Sequence, residues 1–371
     1  MRATKALINL DAFRKNIEAI RKYIGNEPLI CMAVKADAYG HGAAKIAEEG
    51  IRCGAAFLGV AAVEEGVELR KAGITAPILL FSIASMEELD ELIANNLTPL
   101  VTDEAYAEVI NSRAAKAGVK IPVHMKIDTG MGRIGCYPGN AAKLALYIAS
   151  LKSLHYEGTA THFAISDSRA EEAVNTTNKQ LERFHNALDD IKKAGLDPGI
   201  IHASNSGAIL LHKDAYFNMV RPGIMLYGYS PSKELADICP TKPVMEFVSA
   251  ISFIKKVKKG TQISYNGTWT APEETRIGTI PIGYADGLPR ILTNNYEVFI
   301  RGKLYPLVGN ICMDQCMVNL GNDNDVERWD KVTIFGGNEG ALDAADIAAK
   351  VKSIPYEITC GINKRVPRVF I

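Results

Sequence analysis

No apolar run in this 371-residue chain approaches the ~20 residues needed to span a bilayer. The opening MRATKALINL holds no long apolar core of the kind a secretion signal carries. Neither charge is in excess: 42 Lys and Arg balance 42 Asp and Glu, so the footprint of a nucleic-acid or anionic-membrane binder is missing. The partners left are small molecules and protein, with no nucleic acid and no membrane, and the expected location is cytoplasmic. Paired cysteine spacing is missing too. Cys31, Cys53, Cys136, Cys239, Cys312, Cys316 and Cys360 are scattered, mostly within apolar runs. Cys312 and Cys316 have three residues between them and no second pair or nearby histidine to complete a metal site. All seven read as reduced core residues, and no metal is expected. There is no repeat of solenoid period and no low-complexity tract.

What is present is an alternation. Apolar runs at Leu29 to Val34, Ala55 to Ala61, Pro77 to Phe81, Thr98 to Val101, Ile121 to Ile127, Leu154 to His162, Ile200 to Ala203 and Asn218 to Arg221 read as strands. Between them lie helical patterns at Val63 to Ala72, Met86 to Asn95, Glu104 to Ala117, Ala141 to Leu151 and Ala170 to Ala194. About eight β/α units in about 230 residues match the size and rhythm of an N-terminal (β/α)8, TIM-type barrel. A doubly wound sheet shares the alternation. From about Ser230 the rhythm changes: Pro231, Pro240 and Pro243 mark a linker. Beyond it come β-rich segments at Val244 to Val257, Ile263 to Tyr265, Arg276 to Tyr284, Tyr296 to Arg301, Ile311 to Leu320 and Lys331 to Phe335. One helix is expected at Ala344 to Val351. The fold class is therefore α/β, with a barrel over 1–240 and a C-terminal, mainly antiparallel β domain over 241–371.

The polar residues worth singling out follow the expected strands. Lys35 ends the first apolar run and precedes a glycine-rich turn. There it keeps a desolvated stem and an amine suited to Schiff-base chemistry, although a strand end is also an ordinary place for a lysine to reach water. Arg133 follows the fifth strand, His162 ends the sixth, Asn205 and Ser206 follow the seventh, and Arg221 to Ile224 follow the eighth. Barrel enzymes place their chemistry at that face, with phosphate sites in the loops after strands seven and eight. Ser206 and the backbone at Gly223 and Ile224 would form such a cradle, although Ser-Gly and Pro-Gly alone mark only turns.

Ten motifs then occur in one order: AVKADAYGHG around Lys35, KIDTGMGRIG from Lys126, THF at 161–163, HASNSGA from His202, VRPGIMLYG from Val220, SYNGTW from Ser264, GYADGLPR from Gly283, GNICMDQ from Gly309, PYEITC from Pro355 and RVPR from Arg365. Through them nearly the whole chain resembles the alanine racemases, pyridoxal phosphate (PLP) enzymes built of a barrel and a β domain. The resemblance implies that Lys35 carries PLP and serves as one catalytic base. Tyr265, from the partner subunit of a homodimer, would be the other, so that alanine is attacked on opposite faces. A phenol with an ordinary pKa near 10 is a poor base at neutral pH. The resemblance supplies a chain from Tyr265 through His162 to Arg221 that would favour the phenolate. Arg221 would face the pyridine nitrogen and leave it unprotonated, weakening the electron sink and its side reactions. Tyr39, Ser206, Gly223, Ile224 and Tyr356 match the phosphate-binding positions. Arg133 and the backbone at Met313 match the substrate-carboxylate contacts. Lys126, Asp314 and Tyr284 match supporting positions, and Lys126 corresponds to a lysine often carbamylated in the family.

The chain departs from the usual pattern at Asn310, where many members have arginine, and at Ile165, where a smaller or polar residue is common. Both positions lie near the substrate entrance by analogy. The implied product is D-alanine for peptidoglycan. Tyr356, beside the substrate side chain by resemblance, favours alanine over serine. Other readings are a broader serine racemase, a basic-amino-acid decarboxylase of the same plan, and a non-catalytic PLP-binding barrel. A decarboxylase would place an acid by the ring nitrogen where this chain offers Arg221. A PLP-binding barrel would lack the β domain.

Overall fold

The computed structural model describes residues 2–337 and 340–371. The chain opens with β1 (Lys5–Ile8) and continues with β2 (Leu29–Ala33), β3 (Phe57–Val60), β4 (Ile78–Leu80), β5 (Leu100–Val101), β6 (Ile121–Lys126), β7 (Leu154–Ala160), β8 (Ile200–His202) and β9 (Met219–Val220). Parallel ladders join β2 to β3, β3 to β4, β5 to β6, β6 to β7 and β7 to β8. Two backbone hydrogen bonds connect β4 to the entry of β5: the Leu80 amide donates to the Thr98 carbonyl at 2.9 Å and the Thr98 amide to the Ile78 carbonyl at 2.8 Å. The Arg221 amide donates to the Ser204 carbonyl at 2.8 Å, linking the chain beyond β8 to that beyond β9. Because β9 also pairs with β2, the strands close into a ring, and the (β/α)8 expectation holds.

Inside the ring Cys31, Phe57, Leu79, Leu100, Ala160 and Met219 pack as one buried cluster. Strands enclosed on both faces need no polar alternation, which is why they are apolar runs in the sequence. The runs are longer than the ladders. Residues such as Ala55 and Thr98 are buried at strand approaches without being part of a named strand. Outside, the helix Glu171–Lys193 buries Ala173, Thr177, Gln180, Leu181, Phe184, Leu188 and Ile191 at helical spacing and turns its charges outward. Among the described residues no helix is long and apolar enough to cross a membrane.

The remaining strands are β10 (Met245–Ala250), β11 (Phe253–Val257), β12 (Gln262–Ile263), β13 (Trp269–Thr270), β14 (Thr275–Ile280), β15 (Glu297–Ile300), β16 (Lys303–Pro306), β17 (Cys316–Gly321), β18 (Lys331–Phe335) and β19 (Arg368–Phe370). They form sheets in the orders β16-β15-β18-β10-β1-β19, β11-β14-β17 and β12-β13. Every pair is antiparallel except β1 with β19. The expected strand Val244 to Val257 is two strands in different sheets, broken at Ile251, whose backbone turns to bond Asp330 and Trp329. The expected strand at Ile311 begins only at Cys316, and Pro355–Cys360 is a helix with proline in its first turn.

The chain forms two compact units that do not divide at one point. One contains residues 14–38 and 43–241. The other gathers Lys242–Ile371 with Tyr39–Gly42 and the segment ending at Phe13. A single boundary at 240 therefore differs from the observed division. β1 pairs in the sheet of the second unit, and its alternating half-buried pattern suits a sheet covered on one face.

In this second unit the fully enclosed Asp286 carboxylate accepts from Arg2 at 2.5 Å and from Arg365 Nε at 2.7 Å, and its second oxygen accepts from the Gly283 amide at 3.0 Å. Burial alone would raise its pKa, but these bonds outweigh burial and hold it below the usual carboxylate value. The stabilisation is thus fully present above the unfolded pKa near 4 and is lost as pH falls through the lower folded value. Both arginines are partly exposed, so Asp286→Asn should cost about 2 kcal/mol, below the range for a wholly buried pair. Urea denaturation against pH should show the gap between wild type and variant closing as pH falls below the ordinary carboxylate range. A gap that begins to close only well above that range, or a variant as stable as wild type at neutral pH, would count against the assignment.

Candidate active site

The singled-out residues of the barrel unit follow the carboxyl ends of its strands: Lys35 after β2, Arg133 after β6, His162 after β7, Ser206 after β8 and Arg221 after β9. Lys35 opens a helical turn, Lys35–Gly40, in which Ala36, Asp37, Ala38 and Tyr39 have φ of 52°, 54°, 54° and 55°. This is a left-handed turn made of residues with side chains, each costing roughly 1–2 kcal/mol. It persists because the surroundings hold it. The Ala36 amide donates to Glu65 Oε1 at 2.6 Å, the Ala38 amide to the Val34 carbonyl at 2.8 Å and the Ala43 amide to Asp37 Oδ1 at 2.8 Å. Glu65 is fixed in turn by the amides of Ala61 and Ala62. The turn ends at Gly40, with φ of 83°, where a Cβ would lie 2.2 Å from the Thr359 carbonyl oxygen. Strain of this kind collects at functional sites.

Arg221 is buried, and its guanidinium donates to the Thr161 and Ala203 carbonyls at 2.8 Å each, to His162 Nδ1 at 3.1 Å and to His202 Nδ1 at 2.7 Å. None of these acceptors is a carboxylate. Burial draws Arg221 down to about 10, which still leaves it charged at neutral pH. Because a guanidinium only donates, each histidine must offer it a bare Nδ1. The chain of contacts continues from His202. His202 Nε2 lies 2.8 Å from His124 Nδ1, and His124 Nε2 lies 3.0 Å from Glu157 Oε2. With Glu157 ionised and accepting, only one proton order satisfies every contact: both imidazoles are neutral and protonated on Nε2. Burial, then Arg221, His124 and Lys126, push His202 well below the ordinary histidine value. His162 is pushed down by burial, then by Arg221, Lys126, Arg133 and Lys35. Neutral rings are what the hydrogen bonds require.

Lys126 is buried at the end of β6, and burial followed by Arg221 and Arg133 holds its amine well below the usual lysine value. Arg133 is exposed on a loop shaped by Asp128, whose carboxylate accepts from the Gly130 and Gly132 amides at 3.0 and 3.1 Å. Ser206 is buried, and its hydroxyl accepts from the Gly223 amide at 2.9 Å, with Ile224 next in the chain. Cations and donors thus gather at this end of the barrel, an arrangement suited to an anionic ligand with an acceptor for Arg221.

The second unit holds the other candidates. Tyr39 and Tyr356 pack with ring centroids 5.8 Å apart, and burial raises the Tyr39 pKa. Tyr265 is 71% exposed and Met313 54% exposed. The Tyr284 amide donates to the Cys312 carbonyl at 3.1 Å and the Ala285 amide to the Met313 carbonyl at 3.0 Å, while Asp314 accepts from Arg365 at 2.8 Å. Tyr284 and Asp314 therefore shape the segment that presents Met313. No motif marks Glu65, His124 or Glu157 in the sequence, and none assigns a role to the side chain of His202. A histidine inside the apolar run of β6 was the available signal, since a buried polar group needs a partner.

The proton order on the relay is testable in the cofactor-free protein. ¹⁵N NMR of histidine-labelled protein at pH 7 should show His124 and His202 as neutral Nε2–H tautomers. His202→Leu should cost about 2–4 kcal/mol by chemical denaturation, because it removes an acceptor from the buried Arg221 and a donor from His124. A protonated imidazolium at either position would refute the order.

Two family models cover the chain, the alanine racemase N-terminal domain over residues 8–231 and the alanine racemase C-terminal domain over 244–370. An alanine racemase of Treponema denticola is 50% identical over 378 residues, covering 100% of this chain and 99% of the relative. The solved alanine racemase of Clostridium difficile 630 superposes with a TM-score of 0.95 at 39% identity, covering 100% of this chain and 96% of that one. Its complex with cycloserine gives 0.93 at 38% identity, with the same coverage of both chains. The closed barrel, the antiparallel second unit and these full-length likenesses lead to one conclusion: the chain belongs to the alanine racemase family.

Proposed function

We propose that this chain interconverts L- and D-alanine with PLP held on Lys35. The observation that carries the reading is Arg221, a buried guanidinium that among the described residues bonds only neutral acceptors, beside the strand end that bears Lys35. The donor set fits this cofactor: an amine for its aldehyde carbon, hydroxyl and backbone donors for its phosphate, and a guanidinium for its ring nitrogen. When bound, PLP supplies the electron sink for the charge left as the α-proton departs. The basic-amino-acid decarboxylase reading is disfavoured, because such an enzyme would set an acid where Arg221 stands.

The residues of the chain do the rest. Lys35 takes or returns the α-proton on one face, and Tyr265 does so on the other. Ser206, the backbone at Gly223 and Ile224, Tyr39 and Tyr356 bind the phosphate. Arg133 and the Met313 amide orient the substrate carboxylate, and His162 receives the Arg221 guanidinium on Nδ1, leaving Nε2–H as a donor towards the phenol. The exposure of Tyr265 and Met313 supports their service to a second copy of the chain, so the working form is a homodimer in which one protomer supplies Tyr265 to its partner. The structure of the Bacillus anthracis relative, 34% identical, holds L-Ala-P, which is consistent with an alanine-sized substrate here.

Purified protein with PLP and L-alanine should reach equal amounts of the two enantiomers by chiral chromatography. Borohydride reduction should fix a pyridoxyl group on the peptide containing Lys35. Label on another lysine, or no D-alanine from PLP-loaded protein, would defeat the reading. Tyr265→Phe should retain the cofactor spectrum and lose α-hydrogen exchange more for L- than for D-alanine. Equal loss for both would indicate a single base.

A further inference from the structure

Tyr265 projects from a turn that its own residues do not favour. Ser264 before it has φ of 66° and ψ of −175°, a region essentially confined to glycine, and Asn266 after it has φ of 62°, which asparagine adopts more readily than most residues with side chains. The expected strand Ile263 to Tyr265 stops at Ile263 for this reason. Two hydrogen bonds clasp the turn to the neighbouring segment. Ser264 Oγ donates to the Asn310 carbonyl at 2.7 Å, and Asn310 Nδ2 donates to the Tyr265 carbonyl at 2.7 Å. A carbonyl acceptor fixes which end of the Asn310 amide faces Tyr265, since only the NH2 group can donate.

Asn310 is well placed to impose order. It is 7% exposed against 71% for Tyr265, and both of its chain neighbours are tied down. The Gly309 amide donates to Asn294 Oδ1 at 2.6 Å and the Ile311 amide to Thr293 Oγ1 at 3.2 Å. Gly309 has φ of 73°, and a Cβ there would lie 2.6 Å from the Ile263 carbonyl oxygen and 2.8 Å from Ser264 Cβ. The two segments therefore meet backbone to backbone, with the Asn310 side chain closing on the residue that carries the phenol.

We infer that Asn310 is a positioning residue for the reaction: its amide holds the Tyr265 carbonyl and so fixes the direction in which the phenol leaves a strained, exposed turn. The inference rests on the reading of Tyr265 as a base. Asn310 reaches the backbone of Tyr265 and touches no reacting atom, so its contribution is to geometry. Proton transfer is steep in geometry, and a displacement of about 1 Å can cost about a hundredfold.

The test uses the PLP-loaded protein with Asn310→Ala and the isosteric Asn310→Asp, whose carboxylate cannot donate to a carbonyl. In both, kcat should fall about tenfold or more while KM for alanine changes less than about threefold. Loss of α-hydrogen exchange should be greater for L- than for D-alanine, as in Tyr265→Phe, and amide hydrogen exchange in the peptide 262–268 should quicken. Wild-type kcat in stably folded variants overturns the inference, as does equal loss for both enantiomers or faster amide exchange without a change in kcat. Tyr265→Phe, measured alongside, separates the two possible failures. If it stays fully active, the reading of Tyr265 falls and the inference with it. If it loses activity while the Asn310 variants do not, the clasp alone is wrong.

Discussion

A charged guanidinium sealed inside a barrel, with no carboxylate partner among the described residues, is the constraint on which this site depends. Leaving a buried cation uncompensated would be expensive. Arg221 avoids that cost by donating to two carbonyls and two imidazoles, and the imidazole of His202 passes the polarity on through His124 to Glu157. The carboxylate is present but acts at a distance, through two neutral rings. An acid beside Arg221 would cancel the field it can exert on a ligand. Moved to the far end of a relay, the same charge orders the protons and leaves the donor strength of Arg221 directed at the site.

The two proposed bases share a second property. Lys35 opens a left-handed turn of residues with side chains, and Tyr265 stands between Ser264 and Asn266, both at positive φ. Neither turn is favoured locally, and each is held by side chains distant in sequence, Glu65 for the first and Asn310 for the second. A turn held from outside has little freedom of its own, so the backbone that carries each group is held by packed scaffold and not by loop preference. Each unit thereby prepares its own contribution.

Much of this was legible in the sequence. An apolar run ending in a polar residue marks the carboxyl end of a barrel strand, and that rule found Lys35, His162, Ser206 and Arg221. The order of ten motifs supplied the family and with it Tyr265, Met313 and Tyr356. The relay was not legible, because His124 and His202 are 78 residues apart and their proton order depends on a 2.8 Å contact. Nor was the left-handed turn, since Ala36, Asp37, Ala38 and Tyr39 carry no local signal for positive φ beyond the glycines that follow. β1 is not legible either, because KALI has meaning only beside strands more than 230 residues away. Asn310 could be read as a departure from the family pattern, but its role needed the distance to the Tyr265 carbonyl.

The proposed role of Arg221 is to donate and never accept, which would leave the ring nitrogen of bound PLP without a proton. ¹⁵N NMR of the protein loaded with ring-labelled PLP tests it most directly. At neutral pH the wild type should show the shift of an unprotonated, hydrogen-bonded pyridine nitrogen, and Arg221→Glu should move it to that of a protonated one. A protonated nitrogen in the wild type would contradict the account.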